Sequence, residues 1–240
     1  NVWAQPDASL TRAESIGADK IWVKGYEGAG LYAGVWEAGG DVHIDSTLSD
    51  LQGLTYSRVK SKEGTATSGH ANTVARVIGS DGTAVGVEKG VAPKANILSY
   101  NINTNDFLTE LAAVAYPIGS NNDILVANHS FAEPLGWNGV NSNYWHGVKE
   151  ISETEDYKFG RYGGDTWIWD DIYDETVYNS GYLTIVKAAS NERTEAGVSP
   201  YTQWEYNNGS WSRIPGALPN NAVPEKDGGA DGFDCIPYGA

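Results

Sequence analysis

Three polar residues, Glu37, His70 and Asn191, are of the types that acyl-transfer chemistry uses. A histidine can act as a general base near neutral pH, and a carboxylate bound to its second ring nitrogen fixes the tautomer that this role requires. A side-chain amide can donate a hydrogen bond to a developing oxyanion. Spacing alone leaves two other interpretations open: Glu37 and His70 are unrelated polar residues, and Asn191 is a turn residue.

Each of these three residues stands at the end of a predicted element. Apolar runs over residues 31–36 and 182–189 predict two buried strands, and apolar residues at helical spacing over 70–78 predict a helix. The glutamate and the asparagine follow the two strands, and the histidine opens the helix. The candidate residues are therefore positioned by regular structure.

Strands and helices alternate along the rest of the chain. Further strands are predicted over 95–100 and 123–128, and further helices over 11–17, 106–115 and 166–178. Because the strands are continuous apolar runs and no internal repeat occurs, the pattern predicts an α/β fold with a parallel sheet and helices on both faces. In such a sheet the functional site lies at the carboxyl ends of the strands. We therefore expect the three polar residues to gather at one edge.

The chain has 240 residues, which we interpret as one domain, 1–240, with a surface insertion over 133–165 that is rich in Gly, Asn, Trp and Tyr. Sixteen basic against 31 acidic residues give a net charge of −15. This charge argues against binding to nucleic acid or to anionic membranes. No apolar run is long enough to span a bilayer.

The single cysteine, Cys235, excludes an internal disulfide framework and a zinc–cysteine cluster. Methionine is absent, even at position 1, and no apolar leader opens the sequence. The chain therefore begins after processing, or it is a fragment of a longer protein. We expect a secreted, extracellular protein, and the many Trp and Tyr residues agree with that.

Five segments, taken in order, resemble the subtilisin-like serine peptidases (peptidase family S8). Residues 35–40 are similar to the strand ending in acid-x-Gly, and residues 68–75, Ser-Gly-His-Ala-Asn-Thr-Val-Ala, to the histidine motif. The other three segments are 90–95, 127–131 and 185–191. The resemblance implies a subtilisin-like α/β domain and a secreted endopeptidase that acts on proteins or peptides.

The resemblance also implies a role for each matching residue. His70 is the general base, Glu37 stands where the family has Asp and orients the imidazole, and Asn191 is the oxyanion donor. The resemblance further implies that two segments of the chain border the substrate. The residues implied are Ser130, Phe131 and Ala132 for one wall of the peptide cleft, and Ala188, Ala189 and Ser190 for the pocket before the scissile bond.

Several residues depart from the family pattern. Glu37 is one methylene longer than Asp, Asn72 and Thr73 replace a Thr-His pair, Arg76 replaces a Gly, and Ser190 replaces the Gly before the oxyanion residue. No Gly-Thr-Ser, the family's nucleophile motif, occurs in the 240 residues.

We therefore expect this to be an amino-terminal part of the fold. The serine would lie on a carboxyl-terminal segment or a second chain, which would cover an exposed apolar patch. The alternative is an inactive peptide-binding module. A domain of another hydrolase class is disfavoured by the ordered motifs.

The proposed chemistry requires no cofactor. Asp227, Asp231 and Asp234 could supply oxygen ligands to a structural calcium ion, as in many subtilisin-like proteins, but their spacing is not that of an EF-hand. A solvated acidic loop is the alternative interpretation, so no metal ligand is assigned from the sequence.

Overall fold

The computed structural model describes residues 11–38, 42–53, 58–62, 64–102, 124–131, 136–137, 144–146, 168–180, 182–188, 202–207 and 210–213. The chain forms two compact units, one of Asn1–Ser130 with Thr176–Val186 and one of Phe131–Glu175 with Lys187–Ala240. That one domain covers 1–240 stays a prediction.

The first unit is built on a five-stranded sheet. Its strands are β1 (Tyr32–Glu37), β2 (Val59–Ser61), β3 (Asn96–Asn101), β4 (Ile124–His129) and β7 (Thr184–Lys187), in the spatial order β2-β3-β1-β4-β7. β1 pairs in parallel with both β3 and β4, and β2 pairs in parallel with β3. The predicted α/β class with a parallel sheet is therefore confirmed.

Four described helices accompany the strands. They are α1 (Arg12–Ser15), α2 (Ala18–Trp22), α3 (Gly69–Gly79) and α4 (Ile168–Ser180). Strands and helices begin and end within about two residues of the predicted bounds, but α2, β2 and a 3-10 turn at Ser49–Leu51 were not predicted. The helix predicted over 106–115 lies outside the described residues. No helix in the described ranges is both long and apolar enough to cross a membrane.

The second unit contains a four-stranded sheet that the sequence did not predict. Its strands are β5 (Gly136–Trp137), β6 (Tyr144–His146), β8 (Thr202–Asn207) and β9 (Ser210–Arg213), in that spatial order. The sequence does contain a pattern that indicates the pair β8 and β9. β8 alternates polar and aromatic residues, and Asn-Gly separates it from β9, which is typical of a hairpin. β5 and β6 fall inside the predicted insertion, 133–165.

Helix α3 packs on the sheet through small residues. The Ser68 side chain caps the helix by accepting hydrogen bonds from the main-chain N–H groups of His70 and Ala71. Ala71 and Ala75 are fully buried in a cluster that includes Val35, Ile44, Leu51, Val59 and Ile97. These short side chains let α3 approach β1 and β3 closely, so the start of the helix lies near the end of β1.

Polar contacts fix the position of α3 from both ends. The Asn72 side-chain oxygen accepts a 2.8 Å hydrogen bond from the main-chain N–H of Asp45, near the helix start. The buried Arg58 guanidinium donates to the main-chain oxygens of Gly79, at the helix end, and Ala95. A helix end held by a side-chain donor leaves fewer of its carbonyls unsatisfied.

Arg76 forms a two-pronged ion pair with Asp50. Its Nε and Nη2 atoms lie 3.0 and 3.1 Å from the two carboxylate oxygens, and the Asp50 side chain is 1% exposed. Burial alone would raise the pKa of Asp50, but the Arg76 hydrogen bonds and charge outweigh it, so the pKa lies below its ordinary value. The arginine that departs from the family pattern therefore joins α3 to the 3-10 turn.

We expect Arg76→Met to lower the free energy of unfolding at neutral pH by about 3–5 kcal/mol, because it leaves a buried carboxylate without its partner. This loss of unfolding free energy should become smaller as the pH falls through and below the ordinary carboxyl pKa, because Asp50 then becomes protonated. Urea denaturation at several pH values measures this. The double variant Asp50→Asn/Arg76→Met should lose less than Arg76→Met alone, and an equal or larger loss would contradict a buried ion pair.

Candidate active site

Glu37 is the last residue of β1, in the middle of the sheet. Successive side chains of a strand point to opposite faces, so Glu37 lies on the same face as Val35, the face on which α3 packs. Trp36 lies on the other face, where it stacks on Tyr100 with ring centroids 4.3 Å apart and meets the His129 ring edge-on. The packing of this tryptophan fixes the end of β1 and directs the glutamate toward the helix.

His70 is the second residue of α3, directly after the capped start. Its Nδ1 lies 2.7 Å from Oε2 of Glu37, although 33 residues separate the two in sequence. The Glu37 side chain is 5% exposed, whereas the His70 side chain is 59% exposed. The structure thus brings two of the three predicted catalytic residues together, with the carboxylate inside and the imidazole at the surface.

This arrangement determines what the imidazole can do. A buried carboxylate at Nδ1 favours the tautomer in which Nδ1 carries the proton, so that the Nδ1–H group donates a hydrogen bond to Glu37. Nε2 is then left as an acceptor on an exposed ring, so it can take a proton from a nucleophile. The geometry is that of a general base with its orienting carboxylate.

The surroundings of the Glu37 carboxylate disfavour its charged form. Burial raises the pKa of Glu37, and the hydrogen bond and charge of His70 lower it by less, so the pKa lies above the ordinary value. The second oxygen, Oε1, is buried and has no hydrogen-bond partner among the described residues. Such a perturbed buried carboxylate beside an exposed histidine is typical of a functional site.

The predicted cleft residues are described only in part. Ser130 and Phe131 directly follow β4, and the Ser130 hydroxyl accepts a 2.8 Å hydrogen bond from the Asn128 amide. Ala188 directly follows β7, beside Lys187. The other predicted cleft residues, Ala132, Ala189 and Ser190, lie outside the described part of the chain, as does the oxyanion candidate Asn191.

Lys187 was not predicted to contact any of these residues. Lys187, at the end of β7, donates a hydrogen bond to the main-chain oxygen of Phe131, and its Nζ lies 4.7 Å from the centroid of the Phe131 ring. A lysine that interrupts an otherwise apolar strand run was the available signal.

Metal ligands are not assigned within the described residues, which contain no group of three or more His, Cys, Asp or Glu side chains placed to hold an ion. The calcium candidates Asp227, Asp231 and Asp234 lie outside the described residues. A calcium site there stays a prediction.

One solved structure that the chain is similar to is MycP1 with its N-terminal propeptide removed, at 18% identity and a TM-score of 0.42. That match covers 78% of this chain, and the chain spans only 51% of the length of MycP1. No curated protein matches significantly.

A protein-family model matches most of the chain. The model of the Subtilase family (peptidase S8) matches residues 41–222, which include His70 and Asn191; Glu37 lies four residues before the match. The matched region spans well over half of the 240 residues. The chain therefore belongs to the subtilase family of serine peptidases.

Proposed function

We propose that this protein is a secreted serine endopeptidase that cleaves peptide bonds by acyl transfer. In this proposal His70 is the general base, Glu37 orients it, and Asn191 donates to the oxyanion. The nucleophilic serine is supplied by a segment outside these 240 residues. The observation that carries the proposal is the 2.7 Å contact between the buried Glu37 carboxylate and Nδ1 of the exposed His70 ring.

The chemistry follows from that contact. Nε2 of His70 takes the proton of the serine hydroxyl while the serine oxygen bonds to the scissile carbonyl carbon, and the Asn191 amide stabilises the resulting oxyanion. The imidazolium then gives its proton to the leaving amine as the C–N bond breaks. Water, activated by the same nitrogen, hydrolyses the acyl-enzyme. Glu37 holds the ring in place and stabilises its positive charge at each proton transfer.

An apolar groove in the first unit supports the docking of a further segment. The groove has a volume of about 330 Å³ and lies on the α3 face of the sheet, between α3 and the strands β1, β4 and β7. Val91, Val126 and Val186 line it and are 39%, 42% and 49% exposed. A helix that filled this groove would run beside α3. We propose that the segment carrying the serine docks here.

An inactive peptide-binding module is the second candidate. Glu37 in place of Asp and the lack of Gly-Thr-Ser in the 240 residues favour it. The two candidates differ in one measurable property, which is hydrolysis that depends on His70. Secretion and a structural calcium ion belong to the same proposal.

We expect His70→Ala to abolish nearly all hydrolysis of an unstructured peptide by the full-length protein, because no other group would take the serine proton. Asn191→Ala should lower kcat by about 10²–10³-fold, the loss that follows removal of one oxyanion donor in a serine peptidase of this family. Steady-state kinetics measure both. Peptide binding without hydrolysis in the wild type would favour the inactive module, and equal rates for wild type and His70→Ala would end the peptidase proposal.

We expect Glu37→Gln to lower kcat by up to about 10⁴-fold, because the amide favours the wrong imidazole tautomer. The same change should raise the free energy of unfolding at neutral pH, since it removes a buried charge whose pKa is raised in the folded chain. That gain should disappear as the pH falls below the ordinary glutamate pKa, where Glu37 is protonated in both states. Kinetics and urea denaturation measure the two effects.

Glu37→Asp separates two explanations for the longer side chain. If the site is adjusted to glutamate, Asp should leave kcat/KM similar or lower, because the shorter carboxylate reaches Nδ1 less well. A higher kcat/KM for Glu37→Asp would show instead that glutamate marks the decay of an ancestral site.

We expect Val126→Glu and Val91→Glu to lower kcat/KM at least about tenfold, because each places a charge where an apolar segment would pack. Val85→Glu is the matched control, since Val85 is fully exposed and does not line the groove. Urea denaturation of the three variants checks that each still folds. Unchanged kcat/KM for the two groove variants, in folded protein, would contradict docking at this groove.

A further inference from the structure

Asn72, in the first turn of α3, contacts a neighbouring stretch of chain. Its side-chain oxygen accepts a 2.8 Å hydrogen bond from the main-chain N–H of Asp45. One turn later, Arg76 reaches the same stretch by binding the carboxylate of Asp50. Residues four apart in a helix lie on the same face. Residues 42–51 are therefore attached to that face of α3 at two points.

The stretch that α3 contacts is itself anchored to the sheet. The main-chain N–H of Ile44 donates a 3.2 Å hydrogen bond to the hydroxyl of Ser99 on β3, and the Ile44 side chain is buried in the core. The carbonyl of the preceding residue, His43, accepts a 2.9 Å hydrogen bond from the N–H of Ser68, which caps α3. Asp45 therefore presents its N–H from a fixed position.

The contacts of the first helical turn fix its rotation about the helix axis. Ala71 is fully buried, and successive residues of a helix are about 100° apart around the axis. His70 and Asn72 therefore flank this buried position on opposite sides, the first bound to Glu37 and the second to Asp45. The turn cannot rotate away from Glu37 without disturbing the contact that Asn72 makes.

We propose that Asn72 is a positioning residue for His70. By holding the first turn from the side opposite Glu37, it keeps Nδ1 of the imidazole in contact with the carboxylate and fixes the direction of Nε2. Asn72 departs from the family pattern, which has Thr here, so the contact belongs to the residue that this chain carries. The inference rests on the proposed function for its effect on hydrolysis, whereas the orientation of the ring is a property of the folded chain.

The loss of this contact should affect catalysis more than folding. In Asn72→Leu, the Arg76 ion pair and the buried alanines 71 and 75 still attach α3 to its surroundings, so only the first turn gains freedom. A misplacement of roughly 1 Å can cost about a hundredfold in rate. We therefore expect Asn72→Leu to lower kcat by about ten- to a hundredfold and to change KM by less than about twofold. KM changes little because the residues predicted to border the substrate lie on other elements.

The experiment compares three variants of the full-length protein. Asn72→Leu removes the acceptor, and Asn72→Asp keeps an acceptor oxygen in a side chain of the same shape. Thr73→Val is the matched control, because Thr73 is the next residue, is exposed and donates its hydroxyl to the main-chain oxygen of Gly69 within the same helix. kcat and KM for one unstructured peptide and Tm are measured for each variant. Asn72→Asp should restore most of kcat, and Thr73→Val should match the wild type.

A second measurement follows the His70 ring directly and needs no substrate. The ¹⁵N NMR shifts of the two ring nitrogens report which nitrogen carries the proton in the neutral ring, and His70→Ala identifies the signals. The hydrogen bond made by one ring nitrogen determines the tautomer. We therefore expect the Nδ1–H form in the wild type, in Thr73→Val and in Asn72→Asp, and a mixture of both forms in Asn72→Leu.

The outcomes distinguish a failure of this inference from a failure of the proposed function. An unchanged His70 tautomer in folded Asn72→Leu would overturn the inference, whatever happens to kcat, and so would a change that Thr73→Val shares. A changed tautomer with unchanged hydrolysis would support the positioning role and contradict His70 as the general base. If the wild type does not cleave peptides, the peptidase proposal falls and the tautomers alone decide the role of Asn72.

Discussion

The close approach of α3 to the sheet is the constraint on which the site depends. Ala71 and Ala75 provide small side chains at the contact, and a Cβ added at Gly79 would lie 3.1 Å from the side chain of Ile97. This approach brings the capped start of the helix to the end of β1. The strand supplies the buried carboxylate, and the helix supplies the exposed imidazole. A bulkier residue at any of these positions would separate the two elements and lengthen the contact between Glu37 and His70.

Much of this arrangement could be predicted from the sequence because it depends on local patterns. Continuous apolar runs identified β1, β3, β4 and β7, and helical spacing identified α3. The order of five short segments identified the family, which the family match over residues 41–222 confirms. The pairing of Glu37 with His70 was implied by the resemblance to the family, whereas their places at a strand end and a helix start made it possible but left it open.

Other features could not be predicted because they depend on contacts between distant residues. β2 has only three residues and no distinctive pattern, and its place beside β3 is set by pairing. Arg76 departs from the family pattern, yet the buried Asp50 explains it. Nothing in the residues around Lys187 indicates that it contacts Phe131, 56 residues earlier. The roles of Asn191 and of the pocket residues stay predictions.

The short strand β2 has a consequence for how this sheet can grow. It forms one border of the sheet and has only three residues, of which Lys60 and Ser61 are exposed. A border that is short and carries a lysine is a poor template for pairing with another chain, which protects the protein from aggregation through that side. Arg58, just before β2, binds the carbonyls of Gly79 and Ala95 and ties this border to the body of the unit. Any strand that extends the described sheet would therefore add beside β7.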